Sequence, residues 1–376
     1  MRSPNLRYLP AVDHVRAYAA LLIVFYHGLH VFSYEARFGK TFGIDHWLQP
    51  ANPLLAALAE GHTAVALFMV LSGFILTLAA LDGGVRWLGF IRNRLLRTYP
   101  LFVLLTFAGI AAAPQNFSFG AVVQQLVGLG NEPGTFVSPP FTSLLWTIAV
   151  EWQFYLIFPL LVAVLSQGWT RQVAGFIAIL LLLRLAIVIA GGNAREVSYM
   201  QIVGRLDQFL LGMWAAWRWR QRPPTPRAGG VLAALALLAA ILGLWGFNLQ
   251  GGWPTEPGWK ILVPTVEGAV WAAFVLGYVA WANDAGRAWS RALARIGEIS
   301  YSIYLLHFVV IWSLLRSGLV PVWSGRFVVD ALLNTLLLAL PLTLAVSALS
   351  YAFVERPFLR LRGNYHRDPA AAAAAP

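Results

Sequence analysis

Cysteine is absent from the 376 residues, which excludes disulfides, thiolate metal ligands and cysteine nucleophiles together. Charge is scarce: Asp, Glu, Lys and Arg make up 11% of the chain, against about 25% in an ordinary soluble domain. Acid is scarcer than base, with 16 acidic and 27 basic residues and a net charge of +11. No Gly-rich phosphate loop, internal repeat or metal-ligand spacing is present in the sequence. The first apolar run, residues 15–33, contains His27 and His30 and lacks a following small-residue cleavage site. It therefore reads as a first membrane helix rather than a cleaved leader.

Apolar residues account for 59% of the chain, above the roughly 45–50% of soluble domains, and they fall in runs of about 20 residues, each able to cross the hydrocarbon core as a helix. The expected fold is all-α: a polytopic transmembrane helix bundle of about ten spans, both termini cytoplasmic. The expected spans are 15–33, 62–81, 96–113, 143–165, 172–191, 201–217, 229–248, 261–282, 299–317 and 328–353. With the N-terminus inside, the inner loops gather Arg86, Arg92, Arg94 and Arg97, then Arg218, Arg220, Arg222 and Arg227, then Arg287, Arg291 and Arg295. The outer segments hold only Arg37, Lys40, Arg195, Lys260, Arg316 and Arg326. The bases thus flank apolar spans, which points to membrane topology and not to nucleic acid. Trp47, Trp253, Trp259 and Trp323 fall near outer span ends, as an aromatic belt does. One membrane domain is expected over 1–358, with an alanine-rich, disordered cytoplasmic tail over 359–376.

Ionisable side chains inside a bilayer cost about 2.5–3.5 kcal/mol each on insertion scales and are functional by default. Here they are His27, Glu151, Arg184, Arg205, Asp207, Glu267 and His307, with Asp13, Arg16 and His62 at span ends. At 1.5 Å per residue His27 lies about 16 Å beyond Arg16, in the outer half of the first span. Glu151 lies about 12 Å and Asp207 and Glu267 about 9 Å below the outer ends of their spans. This common level predicts either a hydrated cavity opening outward or a set of separately satisfied helix contacts. Arg94 and Arg97 are i,i+3 neighbours at the inner face; they suit phosphate recognition or plain anchoring at lipid headgroups. His27 suits either a general base, which Glu151 would orient, or a structural hydrogen bond. His307, near Tyr301 and Tyr304, reads as structural.

Seven stretches in order resemble motifs of the acyltransferase-3 family of bacterial membrane proteins. The first is Leu9-Pro10-Ala11-Val12-Asp13-His14-Val15-Arg16-Ala17, with Arg16 ten intervening residues before His27. The family often has Gly-Leu where this chain has His14-Val15. The others are residues 67–74, Arg94-Leu95-Leu96-Arg97-Thr98-Tyr99-Pro100, residues 146–155 from Trp146 through Glu151 to Tyr155, residues 205–212 with Arg205 and Asp207, residues 299–307, and Val354-Glu355-Arg356-Pro357. The resemblance covers nearly the whole chain. It implies an acyl-CoA-dependent O-acyltransferase of the bacterial cytoplasmic membrane, commonly an O-acetyltransferase using acetyl-CoA, with no metal. It implies a carbohydrate or glycolipid acceptor, such as a surface polysaccharide, besides contact with membrane lipid. Residue by residue, the family's essential His and Arg correspond to His27 and Arg16, its paired arginines to Arg94 and Arg97, and its acidic residue to Glu151. His27 with Glu151 would then be catalytic and Arg16, Arg94 and Arg97 would bind acyl-CoA. Asp13, Arg205, Asp207 and Tyr155 are assigned to the acceptor or to support of the site.

Two rivals fit parts of the pattern. A transporter or flippase for a lipid-linked sugar also needs intramembrane charge and a midplane cavity, but it does not require an arginine cluster in line with one histidine. A non-catalytic scaffold would tolerate loss of His27, Arg16 and Glu151.

Overall fold

The computed structural model describes residue 5, residues 8–282 and residues 287–366. Backbone buried in lipid must satisfy its own hydrogen bonds, and helices do so within one segment. Among the described residues every regular element is helical. The long helices are α1 (Pro10–Phe38), α2 (Thr63–Gly83), α3 (Trp87–Ala112), α4 (Trp146–Leu165), α5 (Trp169–Ile189), α6 (Ile202–Gln221), α7 (Pro226–Leu249), α8 (Val263–Trp281), α9 (Ala288–Glu298), α10 (Ser300–Arg316) and the composite α11 (Phe327–Leu359). Their ends follow local chemistry. α1 opens on Pro10, whose missing N–H costs nothing in a first turn, and closes at Gly39, which takes a left-handed φ of 63°. The Thr225 hydroxyl caps α7 by accepting from Ala228 N at 3.3 Å.

Each of the ten expected spans has a helical counterpart. Among the described residues eight helices are long and apolar enough to cross a membrane, and α9 with α10, bent by 68°, forms a ninth candidate. The expected sixth span, α6, falls outside this set because it carries Arg205, Asp207 and Gln208 and buries all three. These groups are satisfied by protein. Arg184 of α5 pairs with Asp207 at 2.9 Å, and Arg205 pairs with Glu267 of α8 at 4.0 Å.

α2 and α6 form the centre. Their backbones meet where a Cβ on Gly73 would lie 2.2 Å from the Phe209 carbonyl oxygen, and one on Gly212 2.0 Å from that of Val70. Small residues permit such approach in membranes, where packing replaces the hydrophobic drive. In α2 78% of the apolar window is buried, against 17% in α5 and 28% in α7, so α5 and α7 form the lipid-facing periphery. α9 lies tight on the start of α1, where a Cβ on Gly297 would meet the Asp13 carbonyl oxygen at 2.0 Å.

Residues 359–366, within the expected tail, run along α3. Asn93 Nδ2 donates to Gly363 O at 2.7 Å, and Arg86 N donates to Tyr365 O at 2.8 Å. Asn5 Nδ2 also donates to Gly363 O, at 3.1 Å. The two ends of the described chain therefore share one end of the bundle. The rest of the expected tail, 367–376, lies outside the described residues.

Candidate active site

The packing of α9 on α1 and of residues 359–366 on α3 draws together arginines that are far apart in sequence. Among the described residues a basin of 500 Å³ is lined by Arg16, Arg94, Arg97, Arg291, Arg295 and Arg362, with Asp13 and Glu298 as its carboxylates. Part of this charge is answered. Arg16 donates to Asp13 Oδ1 at 2.7 Å, and Arg97 lies 3.6 Å from the fully buried Glu355. Arg94 stacks over Phe90 and Tyr155 at 5.6 and 5.7 Å, and its Nε is buried without a hydrogen-bond partner. Arg362 lies just past the last helix; burial, helped by the guanidinium groups of Arg97 and Arg94, lowers its pKa to about 10. Among the described lining residues arginines thus outnumber carboxylates six to two, a setting that favours an anion.

A narrower throat of 130 Å³ shares Arg16, Arg94 and Arg97 with the basin and continues inward past Ser72, Glu151, Tyr155, Tyr301 and Tyr304. Ser72 donates to Glu151 Oε1 at 3.0 Å, and Tyr155 stands beside Glu151 and Arg94. Beyond the throat, the Tyr304 ring lies 6.1 Å from His307.

His307 is fully buried, and its Nδ1 lies 3.0 Å from the Ile303 carbonyl oxygen. A carbonyl only accepts, so the hydrogen of neutral His307 sits on Nδ1 and its Nε2 is a bare acceptor. His27 Nδ1 lies 2.8 Å from that Nε2 and is therefore the donor. This leaves His27 Nε2 unprotonated on the other side of the ring, as a general base requires. One histidine here does for another what the carboxylate of a triad does, fixing tautomer and ring orientation.

His27 thus meets His307, a residue the sequence reads as structural, while Glu151 stays in the throat with the arginines. The 280-residue separation hides this pairing; the signal within the sequence is that both histidines fall inside apolar spans. The polar groups expected to converge on one outward cavity are separated. Asp207 accepts from Thr265 and pairs with Arg184. Arg205 donates to the Tyr199 carbonyl oxygen at 3.0 Å and to Gln208 at 3.3 Å. Glu267 faces another cavity.

On the side of His27 away from the basin, Tyr26 packs edge-on at 4.7 Å, and His30 stacks on Trp47 at 4.0 Å. Behind them stands Glu60, a fully buried carboxylate that hydropathy does not single out. It accepts from Trp47 Nε1 at 2.7 Å, Asn248 Nδ2 at 2.6 Å, Trp253 N at 3.2 Å and His62 Nε2 at 3.0 Å. Among the described residues no three His, Asp or Glu side chains are grouped as a metal ion would need.

The profile of a family described as acyltransferase domain matches residues 9–355. The O-acetyltransferase OatA of Staphylococcus aureus strain NCTC 8325 is 28% identical over 410 residues, covering 96% of this chain and 58% of the relative. A further S. aureus protein, provisionally named an O-acetyltransferase, is 26% identical over 397 residues, covering 94% of this chain and 58% of its own length. The chain therefore spans little more than half of these relatives. No solved structure matches.

Proposed function

The chain belongs to the acyltransferase-3 family, and from that premise we propose that it is a multi-pass O-acetyltransferase of the bacterial cytoplasmic membrane. It takes an acetyl group from acetyl-CoA on the cytoplasmic side and delivers it to a hydroxyl of a carbohydrate-containing acceptor. The observation that supports this reading is the run from the arginine basin into a throat that shares Arg16, Arg94 and Arg97 with it and is lined by Tyr304, whose ring lies 6.1 Å from the His307 that bonds His27.

The basin faces the cytoplasm and holds the phosphates of CoA through Arg94, Arg97 and Arg16, whose guanidinium forks match phosphate geometry. The pantetheine arm lies in the throat beside Ser72, Glu151 and Tyr155. The thioester reaches the region of Tyr304, next to the histidine pair. His27 Nε2 takes the proton of the acceptor hydroxyl as its oxygen attacks the thioester carbonyl carbon. The tetrahedral intermediate collapses with cleavage of the C–S bond, and the departing thiolate of CoA takes the proton from His27. The acceptor oxygen is now acetylated and the His27–His307 pair is restored. His307 holds the tautomer throughout and receives the hydrogen bond of the transient imidazolium. Arg205 and Asp207, satisfied by protein partners, support the fold around the site.

The test is incubation of membranes carrying the protein with acetyl-labelled acetyl-CoA, followed by analysis of label in the envelope carbohydrate. Transfer is expected from the natural chain and should disappear in His27→Ala. Normal transfer by His27→Ala would overturn the mechanism.

A further inference from the structure

The chain past the last helix is fastened in place. Residues 359–366 lie beyond the stretch that the family profile matches, where the sequence predicts only a tail. Yet Asn93 of α3 accepts from Gly363 N at 3.1 Å while donating to Gly363 O at 2.7 Å. Asn5 adds two more bonds: its Nδ2 donates to Gly363 O at 3.1 Å and its Oδ1 accepts from Tyr365 N at 2.9 Å. Tyr365 is buried with its ring edge-on to Phe90 at 5.6 Å. Two asparagine side chains and a buried aromatic ring thus order this segment against its conformational entropy. What the segment presents is Arg362, which lines the basin and whose Nε donates to Leu359 O at 3.2 Å.

The six arginines of the basin fall into two groups by position. Arg16, Arg94 and Arg97 line both basin and throat. Among the described residues Arg291, Arg295 and Arg362 line the basin and not the throat. Arg291 and Arg295 are i,i+4 neighbours on α9 and project together. The two groups are electrically close, because the charges of Arg97, Arg94 and Arg16 all act on Arg362. Like charges at close range repel, and an anion set among them turns that repulsion into attraction.

CoA has a matching order of parts. Its pantetheine arm leads to a diphosphate, the diphosphate to a ribose, and the ribose carries a 3′-phosphate. With the arm in the throat, the diphosphate meets the arginines that throat and basin share. The 3′-phosphate, one sugar further out, meets the arginines of the basin alone. Resting on the reading that the basin takes acetyl-CoA, we propose that Arg362, with Arg295 of α9, is the specificity site for the 3′-phosphate of the donor. Arg16, Arg94 and Arg97 hold what every CoA-like donor has, and Arg362 and Arg295 select the one that is 3′-phosphorylated. A terminal phosphate offers several oxygens to each guanidinium fork. The fastening of residues 359–366 is what keeps Arg362 at the basin.

The experiment measures binding, so it stands apart from the transfer assay. The full chain in phosphatidylcholine nanodiscs is titrated calorimetrically with CoA and with 3′-dephospho-CoA. The natural chain should bind dephospho-CoA about ten-fold or more weakly, through loss of charge-assisted hydrogen bonds. Arg362→Gln should weaken CoA by about the same factor and leave dephospho-CoA within about two-fold, which also shows the basin intact. Arg295→Gln should act in the same sense, and it carries the test if Arg362→Gln does not fold. Arg94→Gln, at the diphosphate, should weaken both ligands alike. Equal affinity of the natural chain for the two ligands would overturn the proposal, as would an equal loss for both in Arg362→Gln. Failure of CoA to bind at all would overturn the donor reading with it. Selective CoA binding without acetyl transfer would sink the transfer reading and leave the phosphate site standing.

Discussion

At the end of the bundle away from the termini, Glu60 is wholly buried and accepts from four donors. Lys260 beside it donates to the carbonyl oxygens of Gly252, Trp253 and Thr255. At the basic end, among the described residues, six arginines and two carboxylates line one basin, and Arg94 keeps a buried Nε without a partner. Both regions bury charge. In the first every charge is consumed by the protein's own groups, and what remains is architecture. In the second the lining arginines outnumber the lining carboxylates among the described residues, the setting in which an anion binds. The His27–His307 pair falls in the second class: one imidazole is fully used in holding the other, whose outer nitrogen stays free.

Substitutions break or sharpen this contrast in a graded way. The largest effect belongs to His27→Ala, which should lower acetyl transfer by about 10²–10⁴-fold, the usual share of a general base. Unfolding temperature in detergent should fall modestly, because the substitution orphans the buried Nε2 of His307 at a cost of about 1–3 kcal/mol. Glu60→Ala should show the reverse profile. It strands four donors in a buried site, at a cost of about 3 kcal/mol or more, read as a lowered unfolding temperature. The fraction that remains folded should keep its KM for acetyl-CoA. Arg94→Gln removes a charge that has no internal partner at Nε. The missing charge-assisted hydrogen bond to phosphate, about 1.5–3 kcal/mol, should appear as a KM for acetyl-CoA raised roughly ten- to a hundred-fold, with stability held. Steady-state kinetics checks this, and an unchanged KM would remove the basin from donor binding. The smallest effect is expected at the rim, where Arg195 and Glu256 pair at 2.8 Å with Glu256 half exposed. Glu256→Gln should shift stability by less than about 1 kcal/mol and leave transfer untouched, as equilibrium unfolding and the transfer assay can show.

What the sequence makes legible follows from the range of each interaction. The apolar runs are local, so the long helices stand where hydrophobicity predicts them. Arg94 and Arg97 are three residues apart on one helix, so their shared face is readable from spacing, as is their place at a span end. Arg362 and Arg295 join them only through the packing of residues 359–366 on α3 and of α9 on α1, which no local pattern encodes. Helical rise puts Glu151 and His27 at one level, but level does not fix azimuth. Ser72 on α2 meets Glu151, and His307 on α10 meets His27. α6 is the instructive case, because a helix at the centre of a membrane bundle can be filled with polar groups when α5 and α8 satisfy them. Glu60 is hidden for a related reason: it precedes a span, where a carboxylate reads as solvated, yet Trp47, Asn248 and Trp253 from distant segments close over it.

The most direct test of the mechanism is a double-mutant cycle on the histidine pair, reading acetyl transfer from labelled acetyl-CoA to envelope carbohydrate. If His307 acts only by fixing the tautomer of His27, then His307→Ala should lower transfer in the natural chain. It should add nothing in a chain that already carries His27→Ala. Losses that simply multiply, or full activity of His307→Ala alone, would contradict it.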